Sequence, residues 1–407
     1  MSFGIALSGL NAAQTDLNVT ANNMANSSTS GFKQSRSEFA ELFAVSPVGV
    51  SSTQFGNGVK VASVAQQFTQ GNLNTTNNSL DLAISGQGFF ILSDAGASVY
   101  TRSGAFQVNN DGYVVNSQQQ RLQVYPAGIS DTFNTSTLSD LRLVTRDSPP
   151  SATQRAQTVF NLPSASESPI TSPFDPADES SYNHARSLTI YDSLGSAHTA
   201  SMHFVKTATN EWDLHISVDG NPLGTQHLVY SSTGRLLSPA NGIAAMPVYD
   251  AAAGLSTGAA DLELSFDLSL TSQYGETFSM TGITQDGFTT GRLIGIDIDA
   301  NGVVKARFTN GRSSSLGQVA LATFSNPQGL QQLDNTNWGD TNASGQPLNG
   351  QAGDSGFGLI QSGALEASNV DITAQLVNMI TAQRNFQANA QMIQTADQVT
   401  QTIINIR

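Results

Sequence analysis

SGALEASNVDITAQLVNMITAQRNFQANAQMIQTADQVTQTIINIR, residues 362–407, places Leu365, Ile372, Leu376, Met379, Phe386, Ala390 and Ile393 at intervals of three, four and seven. Those intervals return a side chain to one face of an α-helix. Met392, Ala396, Val399, Ile403 and Ile406 continue the stripe in a shifted phase. The start of the chain obeys the same rule through Phe3, Leu7, Leu10, Leu17, Ala21 and Met24, interrupted only by Gln14. A helix with a seven-residue apolar repeat is therefore predicted at each end, the two pairing in a coiled-coil-like stalk.

Between the ends the helical period gives way to short alternating runs separated by Asp111-Gly112, Asp219-Gly220, Asn301-Gly302 and Asn310-Gly311, pairs that favour hairpin turns. Residues 147–186 are rich in Ser and Pro, which predicts a crossing between domains, and a second boundary is placed near Gly287–Gly291. All five histidines (His184, His198, His203, His215, His227) fall between these limits. The chain is thus expected to be mainly β with helical termini and two nested β domains, the second inserted in the first. The expected parts are 1–72 (N-terminal helix and connecting segment), 73–146 and 288–360 (two parts of an inner β domain), 147–287 (inserted outer β domain) and 361–407 (C-terminal helix).

A length of 407 residues allows two or three domains. Lys and Arg number 17 against 31 Asp and Glu, a net charge of −14, the wrong sign for covering phosphates or an anionic lipid surface. The absence of cysteine removes disulfides, thiolate metal sites and thiol nucleophiles. Charged residues are only 12% of the chain, against about 25% usually, so copies repel one another weakly. The last 47 residues hold 8 Gln and 5 Asn but five ionisable side chains, Glu366, Asp371, Arg384, Asp397 and Arg407. No apolar run is long enough to span a membrane, and residues 1–32 contain one ionisable side chain, Asp16, so neither a transmembrane helix nor a cleaved signal is expected.

Three constellations invite a chemical reading. Gly353-Asp354-Ser355-Gly356 copies the tetrapeptide around a serine protease nucleophile, but no matching histidine context precedes it. Asp297, Asp299, Asn301 and Gly302 begin a calcium loop whose twelfth position is Phe308 where a bidentate Glu is required; Ile294, Ile296 and Ile298 on one side and Val303 and Val304 on the other fit a hairpin instead. The histidines lack metal-ligand spacing, His198 and His203 falling on opposite faces of one strand. No catalytic, cofactor-binding or metal-binding residue is expected, and no enzymatic activity.

Four ordered segments carry a family resemblance. ANNMANSSTSGFK at 21–33, SLDLAISGQGFFIL at 79–92, YTRSGAFQVNNDGYVVN at 100–116 and residues 362–393 resemble, in order, the signatures of the bacterial flagellar rod and hook axial proteins. Asn22, Asn23, Ala25, Asn26, Gly31, Phe32, Asn369, Gln383 and Arg384 match the family signature; Met24 departs from its usual Leu or Ile. YDSLGSAHTASMHFVKTATNEWDLHI at 191–216 and LGQVALATFSNPQGL at 316–330 resemble the outer domain and returning strand of hook-type members, and an insertion of this size has no counterpart in distal rod proteins.

The resemblance implies a homopolymer: a curved, flexible tube that transmits torque from rod to filament. It further implies rod proteins, a hook cap scaffold, a hook–filament junction protein and the flagellar type III export apparatus as partners, with neither nucleic acid nor membrane insertion, and an extracellular place on the flagellum reached without a cleaved signal. The expected polymer contacts are Phe3, Leu7, Leu10, Leu17, Met24, Leu365, Ile372, Leu376, Met379, Phe386, Ile393, Val399 and Ile403. A two-helix stalk buries too little to offset the entropy of ordering itself, so the ends are expected to be mobile in the isolated chain and to fold on polymerisation. The competing readings are a distal rod protein, a β-rich surface adhesin or binding module, and a hydrolase acting through Ser355.

Overall fold

The computed structural model describes residues 2–42, 56–128, 132–143, 147–254 and 258–405. The chain divides into two compact units, one of residues 1–145, 295–307 and 313–407, the other of 146–294 and 308–312.

In the first unit α1 (Ser2–Ala25) packs against α2 (Ile372–Asn405). Asp371 caps α2: its Oδ1 accepts from Thr373 N at 2.8 Å and from Ala374 N at 3.1 Å, satisfying two donors that a helix start leaves open. The side chains of Asn23 and Gln375 meet at 3.3 Å, and a Cβ on Gly9 would stand 2.6 Å from Asn389 Oδ1. Position 23 opposite 375 and position 9 opposite 389 make the pair antiparallel.

From α1 the chain runs into an antiparallel ribbon of β1 (Ser35–Glu41) and β2 (Val59–Gln66) packed on that helix. β3 (Leu73–Thr75) pairs with Ala364–Glu366, and β4 (Leu82–Ser85) with Leu359–Ser362, so the two ends of the sequence enter the β region side by side. β5 (Phe89–Asp94) and β6 (Ala97–Thr101) belong to a twelve-stranded sheet among the described residues. In β5, Phe90 and Leu92 enter a core with Leu82, Ile84, Val319 and Leu321, whereas Phe89 and Ile91 enter another with Tyr100, Phe324 and Trp338. A strand buried on both faces requires an unbroken apolar run, which Phe89-Phe90-Ile91-Leu92 supplies.

Among the described residues the second unit contains two five-stranded sheets. One is an antiparallel meander of β8 (His184–Tyr191), β9 (Ala197–Ala208), β10 (Glu211–Val218), β11 (Asn221–Tyr230) and β12 (Leu236–Ser238). The other is organised on β7 (Arg155–Pro163), which pairs with Ser265–Asp267, Ser272–Tyr274 and Ser279–Gln285. Phe160 and Leu162 of β7 share one core with Met202, Phe204, Trp212, Leu214 and Phe266. The expectation that 147–186 is a crossing between domains is corrected here. Ala156, Thr158, Phe160 and Leu162 alternate inward along β7, and their period of two is masked in the sequence by the Ser and Pro on either side. Residues 164–183 then form a strap over β9 and β10, held by Lys206 Nζ donating to Ser164 O at 2.7 Å and Ser166 O at 2.6 Å, with the Phe174 ring stacked on His215 at 4.1 Å.

Candidate functional site

The helix pair has a seam of small and amide side chains. Ala6, Ala13, Thr20 and Asn23 on α1, and Gln375 and Ala382 on α2, are buried, and each set repeats largely at seven-residue intervals. Small side chains let the backbones approach closely, as Gly9 does beside Asn389. Four large apolar side chains of the predicted stripes stand open to solvent: Phe3 is 48% exposed, Leu7 42%, Ile372 50% and Leu376 45%. Val399 is also exposed. Leu10, Leu17, Met24, Leu365, Met379, Phe386 and Ile393 are half-buried, Leu365 on a strand instead of a helix. The side chain of Ile403 and all of Ile406 lie outside the described residues. The stripes thus overlap the seam through their half-buried members and carry their exposed members to one side of it, a distinction hydrophobic periodicity does not draw because alanine, asparagine and glutamine score weakly in it.

At the base of the pair, the turn after α1 and the segment before α2 are clasped together. Asn23 Oδ1 accepts from Ser35 N at 2.8 Å, and its Nδ2 donates to Ser35 O at 2.7 Å and to Gln375 Oε1. Asn369 Oδ1 accepts from Gln34 N at 2.8 Å while its Nδ2 donates to Gln67 O and Thr69 Oγ1. Beneath these amides lies a buried ionic cluster. Lys33 Nζ stands 2.6 Å from Glu366 Oε1 and 2.7 Å from Thr69 O; Gly71 N donates to the same Oε1 at 2.8 Å, and Arg102 Nη1 stands 3.4 Å from Oε2. Burial pushes the Lys33 ammonium below its ordinary value against the pull of Glu366, and it lowers the Arg102 guanidinium in the same way. Gly31 N donates to Glu366 O at 2.8 Å. At a φ of 73°, a Cβ on Gly31 would lie 2.5 Å from Ser103 N, so this approach of two backbones admits only glycine.

Asn23, Gly31, Phe32 and Asn369 of the matched signature therefore meet in one clasp, Phe32 being buried. Asn22 and Asn26 act locally: Asn26 Nδ2 donates to Asn22 O at 3.0 Å at the end of α1, and Ala25 is exposed there. Gln383 and Arg384 lie on the exposed side of α2, away from the clasp residues. Lys33, Glu366, Arg102, Gln34 and Gln375 were not singled out by sequence reasoning. Glu366 did carry a signal, as one of few ionisable side chains in a nearly uncharged segment.

Four family models match the chain in order: flagella basal body rod protein at 3–33, flagellar hook protein FlgE/F/G D1 domain at 83–145, flagellar basal body protein FlaE D2 domain at 161–288, and flagellar basal body rod FlgEFG protein C-terminal at 361–406. The flagellar hook protein FlgE of Salmonella typhimurium is 39% identical over 421 residues, covering 100% of both chains. That of Escherichia coli K12 is 39% identical over 422 residues at the same coverage, and that of Borreliella burgdorferi 32% over 439 residues, covering 98% of each. The chain belongs to the flagellar hook protein family. It is a structural subunit of the flagellar hook. The crystal structure of Helicobacter pylori flagellar hook protein FlgE2 shares the fold, with a TM-score of 0.54 at 13% identity, covering 72% of this chain and 100% of that one.

In this hook-family chain the three chemical constellations have structural uses. Asp299 Oδ1 accepts from Asn301 N and Val303 N, both at 3.0 Å, and closes a hairpin turn, while Asp297 pairs with Arg307 at 2.7 Å. Ser355 is exposed in a turn closed by Phe357 N donating to Asp354 O at 2.9 Å. His198 Nδ1 lies 2.7 Å from Asp219 and its Nε2 3.4 Å from Asp192, joining two turns at one end of the meander.

Proposed function

We propose that the protein polymerises through its terminal helix pair into the wall of the hook, a curved and flexible tube that transmits torque from rod to filament. The observation that carries this reading is the set of large apolar side chains that the helix pair leaves open to solvent. The intramolecular seam uses alanine, threonine, asparagine and glutamine, leaving Phe3, Leu7, Ile372, Leu376, Val377 and Ile380 at 42–59% exposure. Each such side chain contributes about 1.5–3 kcal/mol when fully buried, and this many large apolar side chains left open on one helix pair call for a partner. The alternative in which Leu7, Leu10 and Leu17 merely join α1 to α2 accounts for the half-buried Leu10 and Leu17 but leaves Leu7 42% exposed.

In this reading 1–72 and 361–407 form the inner tube, 73–146 and 288–360 the inner β domain, and 147–287 the outer β domain, whose sparsely charged faces make weak, slidable contacts. The ends are mobile in the isolated chain and order on assembly. Rod proteins, a hook cap scaffold and a hook–filament junction protein are its neighbours, and the flagellar export apparatus delivers it without cleaving a signal. No helix among the described residues is long and apolar enough to cross a membrane. The role is mechanical, with no catalysis or cofactor. Electron microscopy of the concentrated full chain, beside a form lacking 1–32 and 361–407, tests it: curved tubes are expected from the full chain alone. Straight stiff tubes would favour a rod subunit, and a monomer with protected helical ends would overturn polymerisation.

A further inference from the structure

The chain holds five Asn-Gly pairs, beginning at Asn57, Asn241, Asn301, Asn310 and Asn349. Glycine has no Cβ to shield its backbone nitrogen, so in each pair that nitrogen reaches the preceding carboxamide at the least steric cost. Three of these nitrogens are tied by a turn: Gly242 N donates to Pro239 O at 2.9 Å, Gly302 N to Asp299 O at 2.9 Å and Gly311 N to Phe308 O at 3.1 Å. The carboxamides of Asn241 and Asn310 are engaged as well, accepting from Ile243 N and Arg312 N. Gly350 is held in the strand Leu348–Gln351, in register with Leu321 and against the Phe357 ring.

Asn57-Gly58 is built differently. Asn57 N donates to Leu42 O at 2.7 Å and Gly58 O accepts from Leu42 N at 2.9 Å, so two residues oppose one in a bulge just beyond the Glu41–Val59 pair that ends the β1–β2 ribbon. A bulge leaves a backbone group of the longer strand unpaired, and Gly58 N has no acceptor among the described residues. The Asn57 side chain is exposed. We propose that Asn57 is a modification site, converted to isoaspartate and aspartate by its own neighbour. Gly58 N attacks Asn57 Cγ; the new C–N bond closes a succinimide ring, and the carboxamide C–N bond breaks to release ammonia, which carries away the amide proton. Water then opens the ring at either carbonyl. Opening at the backbone carbonyl leaves isoaspartate, whose side-chain carbon has entered the main chain. That carbon falls between Asn57 N and Gly58 O, the two groups that Leu42 holds, and just before Val59 N, which donates to Ser8 Oγ of α1 at 3.2 Å. Gly58 itself packs against Ser8 at a φ of 111°. Conversion therefore loosens the start of β2 from α1.

Peptide mapping by mass spectrometry of the full chain, kept in mildly alkaline buffer and sampled over days, tests this. Asn57 is expected to convert about tenfold faster than Asn241, Asn301 or Asn310, whose glycines must each first give up a backbone hydrogen bond, and to yield isoaspartate beside aspartate. Conversion at Asn57 no faster than at Asn301 in the folded chain overturns the proposal. Aspartate without isoaspartate would mean direct hydrolysis by water and overturn the attack by Gly58 N. In guanidinium the rates should converge; an advantage that persists there comes from flanking sequence and overturns the bulge as its cause. Asn57→Gln, a change at an exposed side chain, should abolish the mass gain of this peptide, and a gain that persists would place the modification elsewhere. Hydrogen exchange at Leu42 and Val59 is expected to quicken in the converted fraction, and unchanged exchange overturns the loosening.

Discussion

Lys33 Nζ and Glu366 Oε1 stand 2.6 Å apart with neither side chain exposed, across 333 residues of sequence. This contact fastens the turn leaving the N-terminal helix to the strand that leads into the C-terminal one. Arg102 shares the carboxylate, and its Nε is buried without a hydrogen-bond partner among the described residues, so two cations depend on one anion.

Glu366→Gln strands both cations and is expected to destabilise the intact chain by about 3–5 kcal/mol. The triple change Lys33→Met/Arg102→Met/Glu366→Leu removes the charges together and should recover most of that loss. Urea denaturation of the three proteins checks it. A Glu366→Gln midpoint equal to that of the parent would mean that the cluster is hydrated and contributes little.

Gly31→Ala is expected to open the clasp. The residue sits at a φ of 73° with the Ser103 backbone 2.5 Å from any added Cβ, and a side chain there costs about 1–3 kcal/mol in conformation before the clash is counted. Limited proteolysis should cut residues 26–34 faster in the variant. Unchanged cleavage kinetics would show that the two backbones can separate at no cost.

The sequence announces the helices and the four hairpin turns because each rests on local pattern: a seven-residue repeat, or an Asn-Gly or Asp-Gly pair. The clasp is invisible to such patterns, since Lys33, Arg102 and Glu366 are far apart in the chain and meet only after β3 and β4 have paired with 359–366. The seam escapes for a different reason: Ala6, Ala13, Thr20 and Ala382 are buried for their size, and hydrophobicity scales do not register size. β7 was hidden by its flanks, although Ala156, Thr158, Phe160 and Leu162 alternate as a strand should.

Acidification should weaken the second unit. His203 and His215 face each other across β9 and β10 beneath Phe174 and Tyr182. Burial holds both imidazoles below 6.5; His215 adds to this at His203, while Asp213 opposes it at His215. The unfolded chain therefore binds protons that the folded chain refuses, so stability is fully present above about pH 6.5 and falls as pH drops through that value toward the folded ones. The thermal midpoint of the intact chain is expected to fall between about pH 7 and about pH 5, less steeply in His203→Gln/His215→Gln. Some slope should persist from His184, which burial also lowers. Identical slopes would clear these two histidines of any role.

The seam and the open stripe are separable by substitution on one helix. Ala382 is 1% exposed between α1 and α2, so Ala382→Leu overpacks the seam at a cost of about 1–3 kcal/mol; tubes should still form, but melt at a lower temperature. Leu376, 45% exposed on α2, touches solvent in the single chain. Leu376→Asp should leave both β regions folded yet abolish polymerisation, because an aspartate buried between copies without a partner loses its hydration for nothing in return. Tube yield by electron microscopy and melting by light scattering distinguish the two variants. Normal yield from Leu376→Asp would remove this exposed position from the assembly contact, and loss of tubes in Ala382→Leu alone would mean that the helix pair, instead of its outer face, limits growth.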